Sequence, residues 1–125
     1  MNAQTLGRDE CLGLLALASV GRVALSANAL PTVEPVRFRL VDDHIVFQTG
    51  RGATKNVIAF QVDKIDPESH EGWSVVVTGV AHEVTDPAEL AAAHLLLSVG
   101  SNADDDANLV SLSLDVMTGS RLGAS

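Results

Sequence analysis

The sequence predicts a small, mainly β fold: a barrel of six or so antiparallel strands with two helices packed outside it. Three observations predict it. Strand-like runs recur at short spacing between turn signals. One helical run stands early, at Arg8–Ala18, and a second helix start stands late, at Asp86–Pro87–Ala88–Glu89. Val75–Val76–Val77 is apolar on both faces, as expected of a strand covered on two sides.

In Arg8–Ala18, Leu12, Leu14, Leu15 and Leu17 spread apolar surface around most of the helix. Such a helix needs cover from the sheet and, in an assembly, from a partner subunit. Gly21 is expected to end it. Arg22–Ser26 reads as a short strand, and Ala27–Pro31, with Asn28 and Pro31, as a turn. In the strand Thr32–Leu40, Val36, Phe38 and Leu40 share one face while Arg37 and Arg39 share the other. Pro35 within it implies an edge, a bulge or a missing N–H partner.

Asp42–Asp43 is a hairpin turn, followed by strands at His44–Thr49 and Val57–Val62. Asp66–Pro67 opens a turn that reaches Gly72, and Trp73–Val84 is the longest strand. Asp86 suits an N-cap, Pro87 the first helical position and Glu89 the capping-box position, with the helix reaching about Leu97. Gly100–Ala107, with three consecutive aspartates, is a solvated loop. Leu109–Val116 alternates Val110, Leu112, Leu114 and Val116 against Ser111, Ser113 and Asp115, the pattern of a half-buried strand.

At 125 residues the chain has room for one domain, spanning 1–125. Apolar residues form 46% of it and mean hydropathy is +0.23, which excludes intrinsic disorder. Aromatic residues are only 3%, so the platforms that single-stranded nucleic-acid binders need are missing. A net charge of -8 repels phosphate backbones and anionic membranes. With no long apolar run and no signal-peptide pattern, a soluble, cytoplasmic protein without a nucleic-acid or membrane partner is expected.

Against that acidic background, Gly50–Arg51–Gly52–Ala53–Thr54–Lys55 joins two strands. A glycine-containing loop with Thr, Arg and Lys can aim backbone N–H groups and cations at one anion, typically a phosphate. Arg37, Arg39, Arg51 and Lys55 either converge on a small anionic ligand or face water. Other chemistry has little support. The single cysteine, Cys11, lies in an apolar helical run and reads as a buried inert thiol. His44, His70, His82 and His94 lack metal-ligand spacing. Asp63, Asp66 and Glu68 lack the glycine and closing glutamate of a calcium loop. Ser26, Ser74 and Ser111 have no nucleophile setting. Trp73, the only tryptophan, either stacks on a ligand ring or fills the core.

Several of these segments together resemble the pyridoxamine 5′-phosphate oxidase-like family, and its small actinobacterial branch in particular. They are Pro35–Val36–Arg37–Phe38, Ile45–Val46–Phe47–Gln48–Thr49 and the spacing Thr49-x-x-Gly52-x-x-Lys55. To these add Phe60-x-Val62-Asp63-x-Ile65-Asp66-Pro67, Gly72–Trp73–Ser74–Val75, Gly79-x-Ala81-x-Glu83-Val84 and Val116-x-Thr118-Gly119-x-Arg121-Leu122. The resemblance implies a flavin-binding split β-barrel, a homodimer with cofactor sites at the subunit interface, and FMN as cofactor, with the deazaflavin F420 less expected. It implies that Val36, Arg37 and Phe38 lie along the isoalloxazine, with Gln48 on the paired strand. It further implies that Thr49, Gly52, Ala53, Thr54 and Lys55 hold the phosphate, while Trp73 and Ser74 approach from the facing strand or subunit. No residue is singled out as catalytic.

The function implied is a small flavin-dependent oxidoreductase acting on a small molecule. The alternative is a non-catalytic split-barrel dimer that binds a cofactor weakly or not at all: a carrier, a sensor or a vestigial scaffold. Two departures from the family pattern bear on this. Lys55 leads through Asn56 straight into Val57, where relatives have a short helix, and Asn102–Asp106 is acidic where relatives are aromatic and basic. The acidic loop disfavours an additional anionic group, such as pyridoxal phosphate or the tail of F420.

Overall fold

The computed structural model describes residues 2–27, 29–49, 56–91 and 109–123. Among them are eight strands and one long helix: β1 (Asn2–Thr5), α1 (Arg8–Leu17), β2 (Val20–Ala27), β3 (Leu30–Val41), β4 (His44–Gln48), β5 (Val57–Ile65), β6 (Gly72–Glu83), β7 (Leu109–Ser113) and β8 (Met117–Gly123). Six strands close an antiparallel barrel in the order β6-β5-β2-β3-β4-β7, with β7 returning to β6. The split arises in β6. Its first half, Gly72–Val77, pairs with β8, while Ala81–Glu83 pairs with β7. β1 then extends the sheet beyond β8.

Strand alternation sorts the residues into an inside and an outside. Val36 and Phe38 of β3, Val23 and Leu25 of β2, Phe60 and Val62 of β5 and Val75 and Val77 of β6 are buried inside. Phe60 lies against Phe38, edge-on at 4.9 Å between centroids, and stacks on Phe47 at 5.6 Å. These three rings are all the phenylalanine in the chain, so its small aromatic content is concentrated at the barrel centre.

α1 lies at one barrel end. Cys11 and Leu15 point inward, and Arg8 donates to the Leu114 carbonyl at 2.8 Å. Asp9 and Glu10 in its first turn suit the positive end of the helix dipole. A second, smaller apolar cluster lies outside the barrel. There Leu90, from a helical segment covering 87–91, packs on Val46, Val84 and Leu109. Asp86 caps that segment as expected: Glu89 N–H donates to its carboxylate at 3.1 Å, and Leu90 N–H to its carbonyl at 2.9 Å. The expected course of this helix to Leu97 and the loop Gly100–Ala107 lie outside the described residues.

Several expectations need correction. Gly21 does not end α1, which stops at Leu17 with Ala18 already extended. Gly21 lies inside β2, where a side chain would strike Phe60. The turn expected at Ala27–Pro31 is tighter: Ala27 pairs with Leu30, Ala29 takes a positive φ of 64°, and Pro31 already belongs to β3. β5 runs on to Ile65, three residues past its expected end, because β6 supplies partners that far. Val76 is only half-buried, so β6 is not covered on both faces. Val116 is 59% exposed, because β7 ends at Ser113 and the chain turns before β8. The Asp42–Asp43 hairpin stands as read, with Val41 opposite His44.

Candidate functional site

β3 has two neighbours for only part of its length. From Leu30 to Arg37 it pairs with β2, and from Phe38 to Val41 with β4. The β3–β4 register stops at Phe38 opposite Phe47, one step short of Arg37 and Gln48. Phe38 N–H donates to the Ser19 carbonyl on the β2 side at 3.1 Å. Alternation therefore turns the Arg37 N–H and the Pro35 carbonyl the other way, past the end of the pairing with β4. Pro35, with no N–H, sits where that edge needs no donor. A notch thus opens between the edge of β3 and the end of β4, beside Thr49.

The expected site residues distribute around this notch as follows. Val36 and Phe38 point into the core, at 7% and 1% exposure, so they can offer a ligand backbone but not side chains. Arg37 is exposed on the outer face, with Val20 as its cross-strand neighbour. Gln48 is half-buried opposite Leu109. Thr49 is 3% exposed, the only buried polar side chain among the described residues, and its hydroxyl donates to the Glu34 carboxylate. Glu34 lies on the inner face of β3, two residues before Val36, and was not singled out in the sequence. Gly52, Ala53, Thr54 and Lys55 lie outside the described residues.

Trp73 and Ser74 stand elsewhere. β6 is three strands from β3 by either route around the barrel. At ~4.8 Å per strand that is about 14 Å along the sheet. Trp73 turns to the inner face and packs partly on the core. With Leu14, Leu17, Val20, Val62 and Lys64 it lines a pocket of about 300 Å³ at the α1 end. Ser74 turns outward, where its hydroxyl accepts from Gln61 Nε2 at 3.2 Å. One chain therefore brings Val36, Arg37 and Thr49 together and leaves Trp73 and Ser74 apart from them.

The outer face of β3, β2, β5 and β6 is a further feature. Val33, Ala24, Ala59 and Thr78 form one cross-strand row, with Val57 beside Val80 in the next. Val33 and Val57 are 67% and 68% exposed. Among the described residues no helix covers this face. Polar groups flank it: Arg22 reaches Asp63 at 3.7 Å.

Burial first, then the Glu10 charge, raises the Cys11 thiol pKa, leaving no reactive thiolate. Among the described residues no cluster of His, Cys, Asp or Glu could hold a metal, and no helix is long and apolar enough to cross a membrane.

Comparison with known proteins gives the family. The chain is 36% identical over 130 residues to the uncharacterized protein Rv0080 of Mycobacterium tuberculosis, covering 95% of this chain and 85% of that one. It is similar in structure to an FAD-binding protein from Mycobacterium smegmatis, with a TM-score of 0.71 at 26% identity over 97% of this chain and 99% of that one. A conserved protein of unknown function from Corynebacterium diphtheriae gives a TM-score of 0.76 at 27% identity, covering 96% and 98%. An FAD-binding protein from Mesorhizobium loti shares the fold, with a TM-score of 0.79 at 22% identity over 98% and 100%. The profile of the pyridoxamine 5′-phosphate oxidase family matches residues 7–121, and the chain belongs to that family.

Proposed function

We propose that the protein binds a flavin nucleotide in the notch between β3 and β4, in sites shared by two copies of the chain, and acts as a small flavin-dependent oxidoreductase. The observation that carries this reading is the open edge of β3 beside Thr49. The edge offers a donor, the Arg37 N–H, and an acceptor, the Pro35 carbonyl. A carbonyl of the flavin pyrimidine ring would accept from the first, and the ring N3–H would donate to the second. The exposed Arg37 guanidinium would add charge near the ring or hold an anionic substrate. A bound flavin supplies hydride or electron transfer at its ring; the chain's own task is to orient the ring and exclude water.

Two similarities support a flavin over other ligands: the Mycobacterium smegmatis and Mesorhizobium loti proteins bind FAD. FMN is the form expected from the sequence, and it is also half of FAD, so the same notch serves either. A second copy would bring Trp73 and Ser74, three strands from the notch in their own chain, closer to it, and the uncovered valine face offers a surface for pairing.

The second reading, a dimer that holds its cofactor weakly, is favoured by one observation: the Thr49 hydroxyl is already engaged by Glu34. An absorbance spectrum of the purified protein, taken after incubation with FMN, FAD or F420 and passage through a desalting column, tests the proposal. Retained visible absorbance with FMN or FAD is expected, and a Lys55→Ala variant should retain less of it. Protein that stays colourless with all three refutes the flavin reading.

A further inference from the structure

We propose that Glu34 determines how strongly this site holds a phosphate, weakening it so that the ring and ribityl chain contribute most of the flavin affinity. The inference rests on the flavin reading above. Thr49 is buried to 3% exposure, and its hydroxyl donates to a Glu34 carboxylate oxygen. A hydroxyl has one proton. For Thr49 to donate to a phosphate, that proton must leave Glu34, and the carboxylate is left without it.

Charge opposes the phosphate as well. A phosphate bound through the Thr49 hydroxyl would sit about 5 Å from the carboxylate, two hydrogen-bond lengths away. Repulsion between like charges at that separation in a partly buried setting lowers affinity on the order of ten- to hundredfold. Glu34 is half-buried, which limits screening by salt. Among the described residues no cation pairs with it, and Arg37 projects from the opposite face of β3. The net charge of -8 gives no long-range compensation. Glu34 is therefore a positioning and specificity residue acting through Thr49.

Titration of the full chain with FMN and with riboflavin, which lacks only the phosphate, tests this. In the unaltered protein the phosphate should improve affinity by about tenfold or less; several unopposed charge-assisted bonds would give a hundredfold or more. Glu34→Gln keeps the size and an acceptor for Thr49 but removes the charge. It should tighten FMN by about tenfold or more and leave riboflavin within about twofold. A structural role alone would move both ligands together.

An FMN advantage of a hundredfold in the unaltered protein overturns the proposal without any variant. So does an equal change in both ligands, or weaker FMN binding, in a folded Glu34→Gln protein. If neither ligand binds unaltered protein or variant, the flavin reading itself falls. If FMN binds but ignores the substitution, only the role of Glu34 falls.

Discussion

Replacing Gly21 by Ala should destabilise the barrel, although Gly-to-Ala changes inside strands ordinarily help. Removing a mid-strand glycine normally stabilises by ~0.5–1 kcal/mol, because the unfolded chain loses freedom. At Gly21 a Cβ would lie 2.4 Å and 2.9 Å from two atoms of the Phe60 ring and 3.0 Å from the Gln61 carbonyl oxygen. Comfortable carbon–carbon contact needs ~3.5–4.0 Å, so the ring must retreat by about 1 Å. It cannot do so freely, being fully buried between Phe38 and Phe47. Overpacking costs ~1–3 kcal/mol, and a contact this short belongs to the upper part of that range, about 2–3 kcal/mol, leaving a net loss of about 1–2 kcal/mol.

For 125 residues, about 4 °C of Tm accompanies each kcal/mol, so a fall of ~4–8 °C is expected in thermal unfolding followed by circular dichroism. Gly13 supplies the control. It lies exposed in α1 with nothing within 4 Å of a Cβ, so Gly13→Ala should raise Tm by ~2–4 °C. Trimming the ring in Phe60→Leu should make Gly21→Ala nearly neutral, a coupling between contacting sites. An unchanged or higher Tm for Gly21→Ala alone would refute the packing argument.

Three other outcomes are expected. Val57→Lys, on the uncovered outer face, should turn a dimer into a monomer in light scattering with little change in Tm; a monomeric parent protein would contradict the pairing. The Cys11 thiol should ignore Ellman's reagent at pH 8 until denaturant is added, because burial both shields it and raises its pKa. Asp66 accepts from Ser69 N–H at 3.1 Å and Glu68 N–H at 2.8 Å, and these bonds depress its pKa. A depressed acid stabilises above its unfolded pKa and loses that contribution as pH falls through its folded value. The stability advantage of the parent protein over Asp66→Asn, compared by urea titration, should therefore shrink in the acid range.

Local signals made much of this fold legible. The Asp42–Asp43 turn, the Asp86 cap and the alternation through Leu114 each depend on neighbours within a few residues, and each reads correctly from composition. Sites decided by distant partners read poorly. Gly21 resembles a helix stop until Phe60, 39 residues later, is seen to need its space. β1 and β8 are short, and β8 contains Gly119, where a side chain would meet Cys11 Sγ at 2.5 Å. Neither has strong alternation, and each exists because another strand offers it an edge.

The site divides in the same way. Val36, Arg37 and Thr49 lie together because they flank one hairpin, and sequence proximity suggests as much. Glu34 escaped notice because nothing in an alternating strand marks which half-buried carboxylate will meet a hydroxyl 15 residues away. That contact follows from β4 leaving β3 one residue after Phe47, a feature of register that composition does not encode.

The most direct test of the central claim is the amide spectrum of isotope-labelled protein as FMN is added. The account predicts the largest shifts at Arg37 and Thr49, with a second set at Trp73 and Ser74 contributed by the partner copy. Unmoved Arg37 and Thr49 amides, with changes confined to the pocket of Leu14, Leu17 and Lys64, would contradict a flavin site in the notch.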